Sequence, residues 1–264
     1  MRRSIFGLAL LLAVAAPGLA QAQVEQQTLV DRSTLAVQEM MGNGAEGNAA
    51  HMNDAMVLLR RARAVVVCPR LFRAGFILGG QGGSCVLLAR DGAGSWSSPA
   101  FYSMGSGSIG FQIGVQDAMV MMMVLTDKGL SALMDSQFKI GADASIAIAT
   151  IGGGIAGATT AAVGADIVTF AKTRGLYAGV ALDGSLLSTR SDWNRAYYGQ
   201  NYAARQIVVD MAAHNPGADP LRGALMRYGT AAAAQSAAPA PMGAQQQQPY
   251  QPLPGGGVQS TPLR

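Results

Sequence analysis

Reactive side chains are scarce in this chain of 264 residues, which holds two histidines and two cysteines. His51 falls in a helical stretch and His214 in a turn close to Pro216. Neither has thiols or carboxylates at metal-ligand spacing, so no metal centre is expected. A strand-to-helix serine elbow is also missing, because Gly105-Ser-Gly-Ser-Ile109 lacks the closing glycine. Charge is low as well. Without Arg2 and Arg3 the 19 basic residues become 17 against 15 acidic ones, a net of +2. So mild a balance gives no reason to expect a nucleic-acid partner. These absences describe a non-enzymatic protein without a cofactor.

What is present begins with Met1-Arg2-Arg3, an apolar run over 5–16, and Ala20-Gln21-Ala22. That order describes a signal peptide over 1–22 with cleavage after Ala22. The run is too short to span a bilayer, and no cysteine stands near the cleavage site to carry a lipid. The expectation is an exported protein, periplasmic or secreted and peripheral to the membrane. In such a compartment Cys68 and Cys85 can form a disulfide, and two separate buried thiols fit the sequence equally well.

Helices are expected over 24–41 and 48–63. In the second, Met52, Met56 and Leu59 recur at helical spacing while Arg60 and Arg61 face away. A strand over 64–68 should end at Pro69. A hairpin of 74–79 and 84–90 should turn through Gly80–Gly83. Further strands are expected at 96–102, 109–116, 119–125, 145–151, 167–172 and 176–182, the last turning at Asp183-Gly184. A short helix with an aspartate cap is expected over 127–135, and helices over 190–211 and 220–228. From Gly229 the composition shifts to Ala, Gln, Pro and Gly, which describes a disordered tail over 229–264. The glycines scattered through 73–80 and 173–184 mark bends or close backbone approach. The fold class is therefore α+β: a single domain with a curved, antiparallel, barrel-like sheet flanked by helices.

Six blocks carry a family resemblance: Ala62-Arg-Ala-Val-Val-Val67, Ala74-Gly-Phe-Ile-Leu-Gly-Gly80, Trp96-Ser-Ser-Pro-Ala100, Gly141-Ala-Asp-Ala-Ser145, Arg174-Gly-Leu-Tyr-Ala-Gly179 and Asn194-Arg-Ala-Tyr-Tyr-Gly199. In sequence and order they resemble the SYLF domain over about residues 29–228, so the domain is placed at 23–228. The resemblance implies membrane-lipid binding through a basic, amphipathic N-terminal region, and actin binding in some eukaryotic members. An exported chain should meet neither actin nor phosphoinositides, so the implied ligand is an anionic phospholipid membrane. After Ala149 the chain reads Thr150-Ile-Gly-Gly-Gly-Ile-Ala-Gly157, where relatives more often carry a Gly-Pro-x-Gly-Arg turn. A phosphate-facing arginine is thereby lost.

Two glycine patterns tempt a nucleotide reading, Gly152-x-Gly154-x-x-Gly157 and Gly105-x-Gly107-x-x-Gly110. The first has only about eight residues for a crossover helix where a dozen are needed, and no ribose-binding carboxylate follows. The second opens a strand. Residues 144–165 are uncharged and long enough to cross a membrane, but their Gly, Ala and Thr content gains little on transfer. Met119, Met121, Met122 and Met123 are read as core. What remains is Arg60, Arg61, Arg63, Arg70 and Arg73 within fourteen positions. They are either a solvated helix face or, with Met52, Met56 and Leu59, a lipid-binding surface. A protein-interaction module of the cell envelope is the competing function.

Overall fold

The computed structural model describes residues 17–42, 49–75, 78–109, 114–150, 164–175, 182 and 184–230. Helices α1 (Pro17–Gly42) and α2 (Ala49–Arg61) lead into strands β1 (Ala64–Gly75), β2 (Leu78–Ala89), β3 (Ala100–Ile109) and β4 (Gly114–Val124). Helix α3 (Asp127–Leu133) precedes β5 (Gln137–Lys139), β6 (Ile146–Thr150), β7 (Ile167–Gly175) and β8 (Leu186–Thr189). Helices α4 (Ser191–Tyr198) and α5 (Ala204–Val208), a 3-10 turn at Pro216–Ala218, and α6 (Asp219–Gly229) follow. The strands form one sheet in the order β5-β8-β3-β2-β1-β4-β7-β6, curled into a half-barrel. The domain is α+β and single, as its strand and helix patterning indicates.

Alternation along the central strands feeds two cores. Val65, Val67, Met119, Met121, Met123, Val168 and Phe170 pack outward under helices α1, α2, α4 and α6. Val66, Cys68, Val120, Met122 and Val124 point the other way, into a core that also takes Phe138, Leu187 and Ile207. That second core joins residues from both ends of the sheet, so it fills the inside of the curl. Strands buried on both faces read as unbroken apolar runs, which is why 119–125 was legible as a buried strand.

Several expectations need correction. The sheet is antiparallel except at one edge, where β6 runs parallel to β7 with Ile146 opposite Ile167. Sixteen residues separate Thr150 from Ile167, enough chain for a parallel crossover. Pro69 does not end β1. Between Val67 and Phe72, β1 carries one residue more than β2, and between Cys68 and Leu71 one more than β4. Pro69 sits in that bulge, where a missing N–H breaks no regular ladder. Gly80–Gly83 is not the hairpin turn either. Gly75 pairs with Gly79 and Phe72 with Gly82, so these glycines lie within β2. Gly83 meets the bulge directly: a Cβ there would stand 2.3 Å from the Arg70 carbonyl oxygen.

The remaining differences are local. The expected strand at 96–102 starts at Ala100 and continues to Ile109; Gly114–Gln116 already belong to β4. Thr126, not an aspartate, caps α3 by accepting from the Gly129 N–H. The helix expected over 190–211 is broken after Tyr198, where Gly199 takes φ +69° and ends α4. Helix α1 begins at Pro17, before the expected cleavage point. Residues 1–16, 43–48, 76–77, 110–113, 151–163, 176–181, 183 and 231–264 lie outside the described set. That leaves out most of the expected strand at 176–182, the Gly152–Gly157 pattern and nearly all of the expected tail. Among the described residues no helix is long and apolar enough to cross a membrane.

Asp166, at the entrance to β7, ties three elements. Its carboxylate accepts from the Thr126 hydroxyl at 2.7 Å, the Ser145 amide at 3.0 Å and the Ser145 hydroxyl at 2.9 Å, with Lys128 Nζ at 3.5 Å. Led by the Thr126 hydroxyl, these donors hold its pKa at about 2, below the ordinary 3.8. A depressed folded-state value adds stability that is fully present above about pH 4 and lost as pH falls through about 2. Asp166→Asn should therefore cost about 1.5–3 kcal/mol at neutral pH, the scale of hydrogen bonds to a charged group. Urea unfolding should show that gap closing between pH 4 and 2; a gap constant with pH would contradict it.

Candidate functional site

The five arginines do not converge. Arg60, Arg61 and Arg63 surround the junction of α2 and β1, and Arg73 lies ten residues beyond Arg63, roughly 30 Å along an extended strand. Arg60 offers its carbonyl to Arg90 Nη1 at 2.8 Å. Arg61 is exposed. Arg63 donates to Asp127 at 2.8 Å, with both side chains more than half exposed. Arg70 Nε and Nη2 donate to the two Asp117 oxygens, each at 3.0 Å. Arg73 stands on β1 opposite Gln81 and Gln116.

The apolar partners expected in α2 are not surface groups. Leu59 is completely buried and Met56 nearly so. Leu59 packs in the outer core with residues of α1 and α6, because the side of α2 that lies against α1 and the sheet is its apolar one. As folded, neither residue can reach a lipid. The Met52 side chain lies outside the described set.

A different constellation lies on the face of α1. Its buried side carries Leu29, Val30, Val37, Met40 and Met41. On the opposite side Val24 and Leu35 are 62% and 64% exposed, eleven residues and thus three turns apart, so they share one side. Pro69 and Arg70, in the bulge of β1, line a groove beside this helix. One hollow, of about 630 Å³, is lined by Val24, Leu29, Phe72, Trp193 and the glycines of β2. A second, of about 320 Å³, is lined by Leu35, Glu39, Asp117, Met119 and Lys172. Arg32, Pro69 and Arg70 border both, so the two hollows meet at these residues. In the second, Lys172 pairs with Glu39 at 3.1 Å and Arg70 with Asp117. Arg70 also lies 5.8 Å from the centre of the Phe72 ring, which is 43% exposed.

Trp193 is held in place by the surrounding sequence. Its ring packs edge-on against Phe101 at 6.0 Å, and Arg190 stacks on it at 4.1 Å. Phe101 N donates to the buried Asn194 Oδ1 at 2.9 Å, and the Tyr198 hydroxyl donates to the Pro99 carbonyl at 2.7 Å. Two of the resembling blocks, 96–100 and 194–199, thus meet as a structural clamp between β3 and α4. Burial raises the pKa of both Tyr197 and Tyr198, which suits packing rather than acid–base chemistry. Cys68 and Cys85 are joined by a disulfide with Cα atoms 4.2 Å apart. Among the described residues no three His, Cys, Asp or Glu side chains cluster as metal ligands.

Sequence reasoning passed over Arg32, Phe72, Lys172 and Trp193. The signal was present in part: Val24 and Leu35 are apolar residues on the polar side of a predicted helix, with Arg32 between them.

The fold matches no solved structure. The model of the Ysc84 family, described as "Las17-binding protein actin regulator", matches residues 105–228. Among curated proteins, LAS seventeen-binding protein 3 of Saccharomyces cerevisiae is 28% identical over 167 residues, covering 62% of this chain and 36% of that protein. Protein YSC84 of the same yeast is 29% identical over the same length and shares. The human SH3 domain-containing YSC84-like protein 1 is 30% identical over 139 residues, covering 52% of this chain and 41% of that one. The chain thus spans about two fifths of the length of these relatives. Trp193, Asn194 and Tyr198 of the β3–α4 clamp fall inside the matched segment while Pro99 and Phe101 precede it, and residues 105–228 belong to the Ysc84 family, the SYLF domain.

Proposed function

We propose that this protein is a non-enzymatic, exported lipid-binding domain that associates reversibly with anionic phospholipid membranes. One observation carries this reading: exposed Val24, Leu35 and Phe72 stand beside Arg32 and Arg70 on the face formed by α1 and the β1 bulge. Apolar side chains that enter the headgroup boundary next to cations are the working parts of an interfacial binder. Each cation near an anionic surface adds about 1 kcal/mol, and only those within a Debye length act together. The groove face therefore replaces the α2 arginines as the main contact, with Arg60, Arg61 and Arg63 contributing at longer range.

The pair Leu35→Ser and Phe72→Ser should lower partitioning into phosphatidylglycerol vesicles by about thirtyfold, since each deletes apolar area worth about 1 kcal/mol or more. Both residues are exposed, so the melting temperature should hold. Replacing Arg60, Arg61 and Arg63 by glutamine should have a smaller effect. The reverse order would return the contact to α2.

A second reading rests on the family description and on one yeast relative, whose names describe binding to another protein, Las17. In it the same face docks an envelope protein. It predicts a specific, salt-resistant partner and no vesicle binding.

A further inference from the structure

The two hollows differ in chemistry and share a rim, and that asymmetry is specific. The larger is walled by Val24, Leu29, Phe72 and Trp193; the smaller holds Arg70, Lys172 and their carboxylate partners. Arg70 and Lys172 are each neutralised, by Asp117 and Glu39. Arg32, at the junction, makes no hydrogen bond or ion pair with any described residue, which leaves one net positive charge where the hollows meet. Glu25, the one carboxylate among the described residues that line the larger hollow, is seven residues away, two turns or roughly 10 Å along α1. An anion at the junction therefore meets Arg32 first.

We infer that the groove binds one single-chain anionic amphiphile, its acyl chain in the larger hollow and its carboxylate or phosphate head on Arg32. The inference rests on the lipid-binding reading and narrows it to one chain in one site. A combined space of this size lies within the usual range for a buried small-molecule ligand, about 300–1,000 Å³. The occupant is amphiphilic because the apolar walls and the unpaired cation lie end to end. A free anion would use only the smaller hollow and a neutral chain only the larger.

Trp193 makes the test direct. Titration of the full chain with 9,10-dibromostearate below its critical micelle concentration should quench tryptophan emission saturably with one site. Trp193→Phe should abolish that quenching, because the remaining Trp96 is buried under Arg90, away from the groove. Arg32→Glu should raise the dissociation constant about tenfold or more while leaving the melting temperature unchanged. Dodecyl phosphate should compete; inorganic phosphate and dodecyl maltoside should compete far more weakly. Unsaturable quenching, quenching that survives Trp193→Phe, equal competition by dodecyl maltoside, or unchanged affinity in Arg32→Glu would each overturn the site. Vesicle co-sedimentation of the same preparation separates the two claims. Retained vesicle binding with no amphiphile site defeats this inference alone, and loss of both defeats the lipid reading too.

Discussion

Replacing Cys68 and Cys85 together by alanine is expected to destabilise the domain by about 3 kcal/mol, the loss predicted for a cross-link of this span. The bond joins residues 17 apart, and both are fully buried in the inner core. It ties β1 to β2 one step past Val67–Val86, the last regular pair before the bulge. Pro69 and Arg70 of the bulge line the groove, so the bond lies next to one wall of the candidate site. Chemical denaturation of the double variant, beside wild type with and without reductant, measures the effect. Reduced wild type should fall toward the variant. Coincident midpoints for all three would show that the bond adds nothing. Because such bonds persist in oxidising compartments, the same result bears on the expectation of export.

Leu59→Ala is expected to cost about 2–5 kcal/mol, the range for emptying a fully buried leucine site. Leu59 lies at 0% exposure where α2 meets α6. Val57, on the same helix and 37% exposed, is the control; Val57→Ser should change stability by less than about 0.5 kcal/mol. This contrast tests how the helix is used. If Leu59 were held ready for a membrane, its loss would weaken vesicle binding with little effect on unfolding. The structure assigns it to the core, so unfolding should move and vesicle binding by the folded fraction should not.

How much was legible in the sequence follows from which features are local. Periodicity located α1, α2, β4, β6 and β7, because burial on one or both faces leaves a mark in the order of residues. Register leaves none. Gly80–Gly83 has the composition of a turn, and placing the turn there puts Cys85 opposite the wrong residue. Only the longer β1, continuing through Pro69 by way of a bulge, brings Cys68 and Cys85 together. The short strands β5 and β8 escaped notice for a related reason. They are three and four residues long, too few for a period, and are held by pairing with each other and with β3.

The candidate site was less legible still. Five arginines close in sequence suggested one cationic surface, but an extended strand separates its ends by tens of ångströms. Arg32 and Trp193, far apart in the chain, are brought to one groove by α1 and α4 packing on the same sheet. Arg63, which the sequence also allows to be a solvated cation, forms an exposed pair with Asp127.

The most direct test of the central claim is co-sedimentation of the purified protein with phosphatidylcholine vesicles, with and without phosphatidylglycerol, at two salt concentrations. Binding should require the anionic lipid and fall by about tenfold or more as the Debye length shrinks from about 10 Å at 0.1 M to about 3 Å at 1 M salt. Equal binding to neutral and anionic vesicles, or no binding to either, would contradict it.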